Sequence, residues 1–110
     1  MGRIYEELDV DGRPRWALFD SGSRNTYVTE EIAAAHPRRT LLQPYRVGLG
    51  GGPREISEVC NLVAKIEGRP LDTDAYVLPE IGRDEQGRPI EILFGALYLQ
   101  KWGIRLVPAE

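Results

Sequence analysis

The stretch Trp16–Asn25, WALFDSGSRN, decides the fold of this chain. An apolar run, Trp16–Phe19, ends at the carboxylate of Asp20, and the small, turn-forming residues Ser21–Ser23 follow it. A carboxylate at the end of a buried strand is partly desolvated and close to hydrogen-bond donors, an environment that suits acid/base chemistry. The sequence therefore predicts a buried strand that delivers one reactive acid, Asp20, into a tight turn.

The composition is that of one globular domain. The 110 residues suffice for a single core, and 12 Gly with 8 Pro indicate many turns between short strands. The net charge of −3, with basic residues scattered apart from Arg38 and Arg39, offers no basic face for a nucleic acid. No apolar stretch approaches the roughly 18 residues of a membrane span, and the charged first segment is unlike a signal peptide. We therefore expect one cytoplasmic domain over residues 1–110, with no nucleic-acid or membrane partner.

Turn signals divide the chain into short elements. Strands are expected at residues 2–8, 14–19, 41–49, 54–67, 71–78, 90–94 and 104–108. One helix is expected over residues 29–35, capped by Thr29 and stopped by Pro37, and another over residues 96–102, closed by Gly103. Polar residues 79–89 are expected to form a surface loop, with Asp84 and Glu85 as solvated charges. The pattern predicts an all-β domain with one or two short helices.

A weak internal repeat links two of these strands. Leu18 and Phe19 run into Asp20–Gly22, and Leu93 and Phe94 run into Gly95–Ala96. Because both apolar pairs end in a turn of small residues, the repeat hints at two half-domains built alike.

One acid in this setting is not enough for hydrolysis. A lone carboxylate cannot at once take a proton from water and give one to a leaving group, whereas two carboxylates about 3 Å apart share a proton and can do both. The other Asp residues with turn or charged surroundings lack a following Ser-Gly or Thr-Gly. A symmetric dimer would supply the second Asp20 across its two-fold axis.

Over nearly its whole length the chain resembles the retropepsin-like aspartic proteases. Asp20–Ser23 matches that family's Asp-Ser/Thr-Gly-Ala/Ser signature, Gly48–Pro53 lies where the family has its flap, and Leu93–Leu99 is similar to its apolar-apolar-Gly segment before the final helix. The resemblance implies an all-β, barrel-like acid protease fold that works as a homodimer. It also implies cleavage of extended peptide substrates without a metal or an organic cofactor.

The resemblance further implies roles for individual residues. Asp20 is expected to be catalytic, Ser21 to brace the pair of acids through its hydroxyl, and Gly22 to leave room for the substrate main chain. The residues expected to contact the substrate are Leu18, Arg24, Asn25, Gly50, Gly51, Gly52 and Leu93. Among them, the leucines would line side-chain pockets, and the three glycines would form the tip of a closing flap.

Two positions depart from the family pattern. Arg24 and Asn25 follow the signature where viral members often carry acids that hold the substrate backbone. Arg24 reverses that charge, so we expect a preference for acidic peptides. The terminal segments 3–8 and 104–108 are expected to form the dimer contact, because unpaired edge strands seek partners.

Other interpretations fit parts of the sequence. A retropepsin-like domain without turnover would use the same groove for dimerisation or peptide binding, and a small β-barrel adaptor would be monomeric. The glycine-rich segment Gly48–Pro53 matches neither the dinucleotide fingerprint nor the Walker pattern. His36 is interpreted as a cap at the C-terminal end of the first helix, since no second ligand would join it in a metal site. Cys60 is interpreted as a small buried hydrophobe.

Overall fold

A computed structural model of the chain describes residues 3–49 and 52–105, with the backbone alone at Tyr45 and Leu49. The strands are β1 (Arg3–Val10), β2 (Arg13–Asp20), β3 (Tyr27–Thr29), β4 (Arg38–Leu49), β5 (Gly52–Ile66), β6 (Arg69–Leu78), β7 (Gly82–Arg83), β8 (Pro89–Ile90) and β9 (Ile92–Phe94). The helices are α1 (Glu30–Ala33) and α2 (Ala96–Lys101). The predicted all-β fold with short helices is confirmed.

Seven strands form one sheet in the order β1-β2-β9-β3-β6-β5-β4. A further pairing of Asp9 with Lys65 joins β1 to β5 and closes six of these strands into a barrel, with β4 outside the closure. Strand β2 lies parallel to β9, while β3 runs antiparallel to β9 and parallel to β6. The sequence does not predict β3, because its three residues are too few to show an alternating pattern.

The predicted hairpins are confirmed. Strands β1 and β2 pair in antiparallel register up to Val10 and Arg13, and the turn residues between them, Asp11 and Gly12, have φ of 55° and 77°. Two consecutive residues with positive φ match the right-handed twist of the strands, and an Asp-Gly pair tolerates this backbone. Strands β4, β5 and β6 form the predicted meander.

Strand β2 divides its side chains between two apolar clusters. Ala17 and Phe19 lie in the main core, which also holds Phe94 and Tyr98. Leu18, on the opposite face of the strand, lies in a second cluster with other buried side chains. Fully burying each such large apolar side chain contributes roughly 1.5–3 kcal/mol to folding, so β2 is anchored on both faces up to the residue before Asp20.

The surface loop predicted at residues 79–89 is more ordered than expected. It contains β7 and β8, which pair as a separate two-stranded sheet. Asp84 is not merely solvated: its carboxylate accepts hydrogen bonds of 2.9 Å from the indole N–H of Trp16 and from the backbone N–H groups of Gln86 and Arg88. The sequence does not show this contact, because Trp16 is distant along the chain.

The helix ends and the segment after α2 correct two expectations and confirm one. Helix α1 covers four residues, and Thr29 lies at its N-cap without a side-chain capping bond, so the predicted Thr29 cap is wrong. The ring Nδ1 of His36 donates to the carbonyl of Ile32 at 2.9 Å, which confirms the predicted C-terminal cap. Of the strand expected at residues 104–108, Ile104 and Arg105 have no strand structure, and residues 106–108 lie outside the described residues.

Candidate active site

Asp20 ends β2, and its own turn holds its carboxylate. The backbone N–H of Gly22 donates to Asp20 Oδ1 at 2.8 Å, and the N–H of Ser23 donates to the Asp20 carbonyl at 3.2 Å. The Asp20 side chain is 16% exposed. A carboxylate therefore reaches the surface in a fixed orientation at the end of a buried strand, where the sequence predicts it from the apolar run and the Ser-Gly turn.

A cation lies beside the other carboxylate oxygen. Arg3 pairs with Asp20 across the β1–β2 ladder, and its Nε lies 3.6 Å from Asp20 Oδ2. The Arg3 side chain is half exposed, so water screens much of this attraction. The contact places a positive charge at the entrance to the candidate site.

The segment after Asp20 is held against the junction of β9 and α2. The backbone N–H of Ala96 donates to the carbonyl of Ser23 at 2.6 Å, and the N–H of Gly95 donates to Thr26 Oγ1 at 3.2 Å. A Cβ on Gly95 would lie 2.2 Å from the carbonyl oxygen of Asn25. Only glycine permits this approach, and the sequence does not show it, because Arg24 and Asn25 lie far from Gly95 along the chain.

A cleft of about 660 Å³ opens beside Asp20. Six of the residues predicted for the site line it: Leu18, Asp20, Gly22, Arg24, Asn25 and Leu93. Leu18 and Leu93 are buried and pair with each other across β2 and β9. The structure therefore brings an acid, two apolar walls and the predicted polar contacts into one groove.

Two of the remaining predicted residues, Ser21 and Gly52, do not line the cleft. Ser21 lines a neighbouring hollow with Ala96 and Gln100 rather than the cleft. Gly52 pairs with Leu49 at the end of the β4–β5 hairpin and does not line the cleft. Gly50 and Gly51 lie outside the described residues. The roles predicted for these four residues stay predictions.

Other residues that line the cleft are not among the residues predicted for the site. Val47 and Gly48 of β4 reach the groove, as do Ile81, which precedes β7, and Ile90 of β8. Tyr27 of β3 also lines it; burial raises the pKa of its hydroxyl, although a hydrogen bond with Asn25 opposes this. The Tyr27 hydroxyl thus stays protonated at neutral pH. Only the fold reveals that these residues share one groove.

The described residues hold no cluster of three or more His, Cys, Asp or Glu side chains able to bind a metal ion. Within residues 3–49 and 52–105, neither helix has the length and apolar character needed to cross a membrane.

The fold is similar to that of solved retroviral proteases. An EIAV protease, solved with the inhibitor HBY-793, is 21% identical, with a TM-score of 0.65 over 96% of this chain and 93% of that chain. The simian foamy virus (mac) protease, solved in solution, is 20% identical, with a TM-score of 0.57 over 94% of this chain and 100% of that chain.

A third similar structure is a foamy viral protease-reverse transcriptase solved with an RNA/DNA hybrid. It is 13% identical, with a TM-score of 0.66, and the match covers 98% of this chain and 13% of that chain. No protein-family model matches the chain, and no curated protein matches it. The structural likeness shows that the chain has the retropepsin-like fold, as the sequence predicts.

Proposed function

We propose that this chain is an aspartic endopeptidase that acts as a homodimer, with residues 1–110 forming its one domain. The observation that carries the proposal is the position of Asp20: it stands in an Asp-Ser-Gly turn, at the edge of a cleft with apolar walls, on a retropepsin-like fold. The solved proteases of similar fold support this choice of reaction over other carboxylate chemistry.

The chemistry requires two copies of Asp20. With one carboxylate ionised and the other protonated, the ionised group takes a proton from a water molecule as the water oxygen attacks the peptide carbonyl. The protonated group hydrogen-bonds the carbonyl oxygen as negative charge develops there. When the C–N bond breaks, a proton passes to the amine, and the products are a carboxylic acid and an amine. No metal or organic cofactor takes part in these steps.

The cleft suits an extended peptide. Leu18 and Leu93 would contact apolar substrate side chains, while Asn25 would contact the substrate backbone. Successive side chains of an extended peptide point to opposite sides. Each wall of the cleft would therefore contact every second side chain of the substrate. We propose that the β4–β5 hairpin, whose tip includes Gly50, Gly51 and Gly52, closes over the peptide and excludes water.

The test is cleavage of a mixed peptide library by the purified chain at acidic and neutral pH, with and without a statine-type inhibitor. We expect inhibitor-sensitive cleavage, and a dimer by light scattering. Asp20→Asn should keep the fold and the dimer but lower the cleavage rate by about a hundred- to ten-thousandfold, because an amide takes no proton from water.

Two results would contradict the proposal. Cleavage at the wild-type rate by Asp20→Asn would show that this acid is not catalytic. Peptide binding without cleavage, in a confirmed dimer, would support the alternative of a catalytically silent retropepsin-like domain.

A further inference from the structure

Four arginines line the cleft beside Asp20. They are Arg3, Arg24, Arg46 and Arg83, and Asp20 is the one acidic side chain among the described residues that line it. The chain as a whole is acidic, with 17 Asp and Glu against 14 Lys and Arg. The candidate site is therefore a positively charged groove on a negatively charged protein.

Arg3 pairs with Asp20, but the charges of the other three arginines are not compensated by a carboxylate among the described residues. Arg24 and Arg46 are exposed and, within the described part of the chain, no carboxylate lies in ion-pair distance of either. Arg83 donates a hydrogen bond of 2.7 Å to the backbone carbonyl of Gly87. This carbonyl is neutral, so it does not cancel the charge of Arg83. By contrast, Arg15 contacts two glutamates away from the cleft.

The arginines also come from separate elements. Arg46 belongs to β4, Arg83 to β7 and Arg24 to the turn after β2, so three different parts of the chain each bring a cation to the groove. Guanidinium groups bind carboxylates through paired, charge-assisted hydrogen bonds. The groove thus offers several separate places for an acidic side chain around an apolar floor.

Resting on the proposed function, we infer that the substrates are acidic peptides, with Glu or Asp side chains on both sides of the bond that is cut. Both sides follow because a two-fold dimer repeats each arginine across the cleft. The apolar walls formed by Leu18, Val47 and Leu93 favour a peptide over a nucleic acid, since aliphatic side chains suit apolar peptide side chains and give bases no aromatic surface to stack on.

The inference is tested with two peptides that differ only in having Glu or Gln at the positions flanking the cleaved bond. The ratio of their kcat/KM values is measured for the wild type and for Arg24→Gln, Arg46→Gln and Arg83→Gln. We expect the wild type to prefer the Glu peptide, and each substitution to lower the ratio about two- to fivefold. Added salt should weaken the preference, because exposed charges are screened.

Arg13→Gln is the matched control. Arg13 is an exposed arginine at the opposite end of β2 from Asp20 and does not line the cleft. This substitution removes the same charge and should leave the ratio unchanged. A ratio that falls equally in Arg13→Gln would show a general charge effect and overturn the inference.

A binding measurement tests the preference for acidic peptides independently of the proposed protease activity. Asp20→Asn is titrated with fluorescent forms of both peptides, and anisotropy gives the two dissociation constants. Tighter binding of the Glu peptide without any cleavage by the wild type supports the charge preference and contradicts the protease. Cleavage of both peptides at equal kcat/KM contradicts the charge preference and leaves the protease standing. Displacement of the Glu peptide by single-stranded DNA at lower concentration than by unlabelled peptide would also overturn the inference.

Discussion

The rings of Phe19 and Phe94 stack with their centroids 4.8 Å apart and their planes 20° apart. The two residues are partners in the parallel pairing of β2 with β9, where Leu18 is likewise the partner of Leu93. The two Leu-Phe segments that repeat in the sequence therefore lie side by side. Their phenylalanines fill the core, and their leucines face the cleft. This stack fixes the end of β2, and hence Asp20, relative to Gly95.

Phe94→Ala should lower the free energy of unfolding by about 3–5 kcal/mol, because it leaves a cavity beside Phe19 and Tyr98 in a fully buried position. Urea denaturation followed by circular dichroism measures the change. Leu42→Ala, at a fully exposed leucine, is the control and should change stability by less than about 0.5 kcal/mol. A loss below about 1 kcal/mol for Phe94→Ala would show that the stack does not hold β2 to β9.

Gly95→Ala should destabilise the fold by more than about 2 kcal/mol. The new Cβ would collide with backbone atoms of Arg24 and Asn25, which cannot rotate away as a side chain can. For a domain of this size the thermal midpoint should fall by roughly 10 °C. Gly48→Ala is the matched control, since nothing lies within 4 Å of its Cβ position. Equal midpoints for the two variants would refute the close approach.

The acid sensitivity of the fold should depend on Asp84. Burial raises the pKa of this carboxyl, but hydrogen bonds from the Arg88 backbone, the Trp16 indole and the Gln86 backbone outweigh it, and the pKa lies below its usual value of 3.8. Because the pKa of Asp84 is lower in the folded protein, its ionised carboxylate stabilises the fold fully above about pH 3.8. This stabilisation is lost as the pH falls through the pKa that Asp84 has in the folded state.

The measurement is the free energy of unfolding of the wild type and Asp84→Asn between pH 6 and pH 2. The free energy of unfolding of the wild type minus that of the variant should be constant near pH 6 and should become smaller as the pH falls towards 2. The amide group cannot accept a hydrogen bond through its nitrogen, so one contact of the carboxylate is lost in the variant. A difference that stays constant down to pH 2 would show that the carboxylate charge is not involved.

Cys60 should be unreactive in the folded protein. It is 2% exposed, and burial raises the pKa of its thiol to about 11, so both access and thiolate formation are suppressed at pH 8. A disulfide reagent such as Ellman's should label the native chain slowly and label it completely in urea. Rapid labelling without urea would contradict the buried position that the sequence and the structure both give to this residue.

Local chemistry accounts for what could be predicted from the sequence. The Asp-Gly pair of the β1–β2 turn, the apolar run before Asp20 and the small residues after it each act over a few neighbouring residues. They are sufficient to predict the strands, the hairpins and one acid at the end of a buried strand. Short elements such as β3 and the β7–β8 sheet give no such signal, because too few residues are involved to set a pattern.

By itself, then, the sequence determined an all-β chain with one well-placed carboxylate, because turn preferences and apolar alternation depend on local backbone geometry. Only the tertiary structure decided the rest of the cleft. The tertiary structure brings Arg3, Arg46 and Arg83 from three separate strands into the cleft that Asp20 lines, and it places Gly95 too close to the Asn25 backbone for a Cβ to fit between them. Contacts between residues that are distant along the chain depend on how the strands pair over long range. No short stretch of residues encodes that pairing.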